Sequence, residues 1–308
     1  MSPRRRRETT SRAPDVSIIG LGNWGTSLAG ALTAARIPLR EVIVRRRRRS
    51  GLPLISLPLI PWNRAKLDAR ILWLCVPDSA IEEVAEEVVR RRGDLSGRIV
   101  VHSSGALTVA ALEAARHAGA RVASVHPAMT FPTRDVVALK GVFFGVEAED
   151  AATRRLLHSL TRRLGGRPFD LRSETKALYH AAGTFASPLL VSALDGVLAA
   201  AVETARLAGL PPKIAQEWTK ALAGPTARNF FARGVEKSFS GPFARGDAGT
   251  IRLHLKALQP HPILADVYRS LAEHAVAALP VRNGRELSNA LVEAGSRRGS
   301  EAIKGSKK

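Results

Sequence analysis

Residues 16–32 read VSIIGLGNWGTSLAGAL, and they constrain this chain more than any other stretch. An apolar run ends in Gly20-x-Gly22-x-x-Gly25 and passes into small residues that suit a helix. This order is the dinucleotide-binding turn of a Rossmann domain. Gly20 permits the tight turn, Gly22 lets a pyrophosphate approach the backbone, and Gly25 lets the next helix pack on the sheet. Gly20, Leu21, Gly22, Asn23, Trp24 and Gly25 are therefore the expected cofactor contacts, with the helix N-terminus facing the phosphates.

The next strand, Glu41 to Val44, runs straight into Arg45-Arg46-Arg47-Arg48-Arg49. An NAD site usually places Asp or Glu here to bind the ribose 2′-hydroxyl. Here no acidic residue follows Val44 until Asp68. Guanidinium groups at Arg45 and Arg46 suit a 2′-phosphate, so the expected cofactor is NADPH. Arg47 to Arg49 read as a solvated loop.

The 308 residues accommodate two domains. A single cysteine, Cys75, lies in the apolar run ILWLCV and reads as a buried strand residue; a reducing, cytoplasmic setting follows. The net charge of +20 raises nucleic-acid binding as an alternative. Yet the arginine clusters are scattered, and at 5% aromatic residues no stacking pattern emerges, so no specific nucleic-acid partner is expected. The apolar stretch 185–202 contains Pro188, Asp195 and Gly196 and reads as a buried helix rather than a membrane span. No metal-ligand pattern is present.

The fold class is α/β, a doubly wound parallel Rossmann sheet followed by an all-helical C-terminal domain. Residues 1–14 and 295–308 read as disordered tails, the basic one at the N-terminus. Between 15 and 172 short apolar strands alternate with helices. Ser79-x-x-Glu82 has the form of a capping box. Residues 51–63 are too proline-rich for a helix and read as loop with room for one short strand. From 173 to 294 helices are expected at 174–207 with a kink near Pro188, then at 213–222, 227–233, 248–258, 262–279 and 286–293.

Ligands of an open parallel sheet bind at the carboxyl ends of its strands. Those ends here carry Val76-Pro77-Asp78-Ser79, His102-Ser103-Ser104-Gly105 and His126-Pro127-Ala128-Met129. Val76, Pro77 and Ser103 are expected at the cofactor, Ser104 beside the chemistry and His126 at the substrate. Lys176 and His180 lie four apart on one helical face. An ammonium and an imidazole there suit stabilisation of a developing alkoxide, although a solvated helix start has the same spacing. Farther on, Asp247 is a natural N-cap sharing a face with Thr250 and His254; these three are expected at the substrate, with Arg245 placed to clamp its carboxylate.

GLGNWG, VPDSAI, HSSGAL, VHPAMTF, KALYHAAGTFAS and GPFARGDAGTIRLHL, in this order, resemble bacterial predicted oxidoreductases. These pair a Rossmann-like NADP domain with a helical domain of unknown function, similar in plan to ketopantoate reductases, pyrroline-carboxylate reductases and β-hydroxyacid dehydrogenases. The resemblance implies an NADPH-dependent oxidoreductase of a small carbonyl acid, ketopantoate foremost, with Lys176 as the catalytic lysine and His180 its helix partner. It also places Ser187 at the substrate, where the family more often has Asn. Imine reduction of the pyrroline-carboxylate type and a non-catalytic NADP-binding sensor or scaffold are the competing readings. A small molecule and a second copy of the chain are the expected partners.

Overall fold

The computed structural model describes residues 14–45 and 59–293. Residues 1–13, 46–58 and 294–308, which hold nearly all of the tails expected at 1–14 and 295–308, Arg46 to Arg49 and the proline-rich stretch up to Pro58, lie outside the described residues.

Eight strands form one sheet: β1 Val16–Ile19, β2 Leu39–Val44, β3 Leu59–Pro61, β4 Ile71–Leu74, β5 Ile99–His102, β6 Arg121–Pro127, β7 Phe143–Ala148 and β8 Arg167–Asp170. Their order is β3-β2-β1-β4-β5-β6-β7-β8, parallel except where β6 meets β7. The chain winds outward from β1 in one direction and from β4 in the other. The connections after these two strands therefore diverge and leave a crevice at their carboxyl ends.

Alternation along the strands divides the core between the two faces. Val16, Ile18, Trp73 and Val101 pack on one side with α1 (Asn23–Ala34) and α4 (Ala151–Arg163). Ile19, Leu72, Leu74 and Val100 pack on the other with α2 (Ile81–Arg92) and α3 (Glu113–His117). Asp150 caps α4 by accepting the Thr153 N–H at 2.8 Å. Ser79 does not cap α2. A single 3-10 turn, Asp78–Ala80, precedes that helix, and Ala80 stands at its cap without a side-chain bond.

The chain divides into two compact units, one ending at Ser187 and the other beginning at Pro188. Helix α5 (Lys176–Thr184) thus sorts with the sheet, beyond the boundary of 172 expected from the strand pattern. A π-helical turn, Phe185–Leu189, contains Pro188. Proline offers no N–H to the carbonyl four residues back, and the wider turn accommodates the missing bond.

The second unit contains α6 (Leu190–Leu207), α7 (Pro212–Arg233), α8 (Pro242–Arg245), α9 (Ala248–Leu258), α10 (Pro262–Ala278) and a last helix over 284–293. Where two helices were expected at 213–222 and 227–233, α7 is continuous through Pro225. Ala248, Ile251, Leu255, Ala272, Leu287 and Leu291 form this unit's core. The stretch 185–202 is not the buried helix expected. Helix α6 packs on α7 and α10 along one stripe, and Val191 stays 65% and Leu194 45% exposed. By length and composition the helical run Ser173–Leu207 could cross a membrane.

Candidate active site

The glycine turn has the shape its sequence demands. Gly20 adopts φ +100°, and a Cβ there would sit 2.5 Å from the Cys75 carbonyl oxygen. A Cβ on Gly25 would overlap the Gly20 carbonyl, so strand and helix can meet this closely only without side chains. Gly22 faces open space and stands at the N-cap of α1, whose first turn carries no side-chain cap and no acid. The exposed N–H groups and dipole of this helix start fit a phosphate group.

Asn23 Nδ2 donates to the Phe131 carbonyl at 2.7 Å, and the Trp24 and Phe131 rings lie 5.1 Å apart. These contacts hold the segment after β6 over the start of α1. Together they enclose a cleft of about 370 Å³ walled by Gly22, Asn23, Trp24, Val76, Asp78, Ser103 and His126, among others. The cleft brings most of the expected cofactor residues to one place, including Pro77. Leu21 is half-buried in the turn. Arg45 is exposed at the end of β2, and Arg46 lies outside the described residues. Glu41, the acid within β2, is buried and accepts the Lys66 and Leu67 N–H groups at 2.8 and 2.9 Å. It therefore does not serve as the ribose acid.

Ser104 is buried, donates to Asp78 Oδ2 at 2.7 Å, and accepts the N–H groups of Ala106 and Leu107. Ser104 is not itself among the residues that line the cleft; it holds Asp78, which lines the cleft and is exposed. His102 is buried beneath it. Its Nδ1 accepts the Ser104 N–H, and its Nε2 lies 3.1 Å from the Thr108 carbonyl oxygen, so the ring proton belongs on Nε2. Burial, reinforced by the charge of Lys176, pushes its pKa down to about 4.

At the end of β6, His126 Nδ1 is 2.8 Å from the Tyr179 hydroxyl, and its ring stands edge-on to His180 at 5.9 Å. Gly105 makes this meeting possible. A Cβ there would lie 2.8 Å from His126 Nε2 and overlap the His180 ring. Burial, then the neighbouring His180 and Lys176, lower the His126 pKa to about 4, while burial raises that of Tyr179. Both partners are therefore neutral at pH 7.

Lys176 is not where a catalytic lysine must be. Its ammonium is fully buried, 2.6 Å from Ser124 Oγ and 2.7 Å from Glu147 Oε2. Ser124 and Glu147 face each other across the β6–β7 ladder. Glu147 Oε1 also accepts from Ser173 Oγ and the Val109 N–H. Burial lowers the Lys176 pKa, and Glu147 opposes that shift. Because Lys176 points into the sheet, the exposed His180 one turn later does not share its surroundings.

In the second unit, Asp247 caps α9 by accepting the Thr250 N–H at 3.1 Å and the Thr250 hydroxyl at 2.7 Å. His254 Nδ1 lies 2.9 Å from the Tyr268 hydroxyl. Arg245 ends α8 and is exposed, and Ser187 sits half-buried in the π turn. Sequence reasoning passed over Glu147, Ser124 and Tyr179. Glu147, an acid in the otherwise apolar strand β7, was the one visible signal.

Residues 2–127 match the Rossmann-like domain, and residues 142–275 match a domain of unknown function, DUF2520. Curated proteins include no match to the chain. Among solved structures, a Bacteroides fragilis protein provisionally named an NADP oxidoreductase is similar with a TM-score of 0.59 and 23% identity, over 84% of this chain and 96% of that one. A Thermotoga maritima protein gives 0.59 and 20%, over 92% and 99%. A Myxococcus stipitatus imine reductase variant in complex with NAD+ gives 0.53 and 18%, over 90% and 99%. At these identities the likeness is one of fold. The chain thus joins a Rossmann-like domain to a DUF2520 domain.

Proposed function

We propose that this protein is an NADPH-dependent oxidoreductase that reduces a small C=O or C=N substrate. One observation carries the reading: a single cleft at the carboxyl ends of β1, β4, β5 and β6 gathers the glycine turn, Ser103 and His126. The open helix start would hold the pyrophosphate, and Arg45 would hold the 2′-phosphate. When bound, NADPH supplies a hydride to the substrate carbon. His126 then takes the part first assigned to Lys176. Its Nε2–H donates to the substrate heteroatom and passes it the proton, while the Tyr179 hydroxyl resupplies Nδ1 and regains its own proton from water. A neutral imidazole suits this role because it brings a donor without the desolvation cost of a buried charge.

For the substrate, a small carbonyl acid such as ketopantoate would accept the His126 Nε2–H at its carbonyl oxygen. A cyclic imine of the pyrroline-carboxylate type draws support from Asp78, among the described residues the one formally charged side chain lining the cleft, which would attract an iminium, whose nitrogen already carries its proton and takes none from His126. The apolar faces of α6 and α7 suit a second copy of the chain, giving a homodimer. Insertion of α6 into a membrane has less support, because Lys176 anchors the start of the same helical run to the sheet.

Oxidation of NADPH and NADH, followed with ketopantoate and with pyrroline-5-carboxylate, tests the reading. NADPH should be preferred. Replacing Arg45 and Arg46 with Ala should erode that preference by about 1–3 kcal/mol, the scale of hydrogen bonds to charged groups. Preference for NADH in the unaltered protein would overturn the cofactor assignment.

A further inference from the structure

Ser103 ends up with an unusual hydrogen-bonding balance. Its Oγ accepts the indole N–H of Trp24 at 2.8 Å and the indole N–H of Trp73 at 2.8 Å. A serine hydroxyl has two lone pairs and one proton. Both lone pairs are taken, so Ser103 can act toward a further group only as a donor. Among the described residues no acceptor receives that proton, and Ser103 lines the cleft.

The two indoles hold this state firmly. Trp73 is fully buried in the middle of β4, and Trp24 is fixed at the start of α1 by the Phe131 and Phe144 rings. Two N–H groups directed at one oxygen also polarise its O–H bond and strengthen it as a donor. A ligand atom opposite Ser103 must therefore be an acceptor, because a donor there would meet another donor.

Strand order indicates which part of a dinucleotide that atom belongs to. Arg45 follows β2, the glycine turn follows β1, and Ser103 follows β5, two strands beyond β1 on the side away from β2. At about 4.8 Å per strand, Ser103 lies roughly 10 Å along the sheet edge from the pyrophosphate turn. With the 2′-phosphate over β2, the nicotinamide half falls on the β4–β5 side. We infer that Ser103, made donor-only by Trp24 and Trp73, selects the nicotinamide ring by donating to its carboxamide oxygen. The inference rests on the cleft being the dinucleotide site.

Calorimetric titration with NADP+ and with its thionicotinamide analogue, whose C=S is a poorer acceptor, tests this without turnover. In the unaltered protein the analogue should bind about 3–10-fold more weakly, the range for one neutral hydrogen bond. Ser103→Thr should keep that ratio, Ser103→Ala should bring it to one, and Trp73→Phe, which frees a lone pair and lets the hydroxyl turn away, should reduce it. The unaltered protein and the two milder variants decide the matter even if Ser103→Ala fails to fold. Equal affinity for both ligands in the unaltered protein would overturn the role of Ser103 and leave the cleft assignment standing. Failure of NADP+ itself to bind would overturn both.

Discussion

Lys176 and Glu147 form a buried ion pair, Nζ to Oε2 2.7 Å, at the point where α5 meets the sheet. Breaking such a pair by removing one partner leaves an uncompensated charge in the interior, which costs about 3–5 kcal/mol. Lys176→Met should therefore lower stability on that scale while leaving the glycine turn intact. Urea unfolding and NADP+ titration of the variant check both parts. A variant of native stability that had lost turnover would return Lys176 to the chemistry.

Gly105 decides how closely His126 and His180 approach. Gly105→Ala should push the two rings apart, with little effect on NADP+ affinity because the glycine turn is untouched. Displacement of a reacting group by about 1 Å can cost on the order of 10²-fold in rate. A fall in kcat of that order with an unchanged NADP+ dissociation constant is the expected outcome. Unchanged kcat would place His126 outside the reaction.

His102 and His126 make stability depend on pH. Burial pushes both rings down to about 4 in the folded protein, against an ordinary histidine value of about 6.5. Between those values the unfolded chain binds more protons, so stability falls as pH drops from about 6.5 to 4 and levels off below. Each ring contributes up to roughly 3 kcal/mol at about 1.36 kcal/mol per pKa unit. Urea midpoints measured from pH 7.5 down to 4.5 should show the decline, and His126→Gln should flatten it. A midpoint constant between pH 7 and 5 would contradict both assignments.

Val191, Leu194, Trp218 and Leu222 are at least 45% exposed on α6 and α7. Sedimentation should show a dimer. Glu at Val191 and Leu194 should yield monomers, since burying an unpaired carboxylate at an interface opposes association. A monomer at micromolar concentration in the unaltered protein would leave these faces without the proposed partner.

Features set by neighbouring residues were legible in the sequence. The glycine turn, the Asp247 cap and the irregular turn at Pro188 all depend on backbone geometry and bonds within a few residues. Two local readings failed even so. Ser79 gave way to a 3-10 turn, and the helix through Pro225 tolerated its missing bond. What only the tertiary structure decided were pairings across long separations. Trp24 and Trp73 reach Ser103 over 79 and 30 positions, and Glu147 meets Lys176 over 29. A charged residue at a helix start reads alike whether it faces solvent or the interior. Its role depends on which strand lies beneath it, and here the antiparallel partner of β6 brought a carboxylate there.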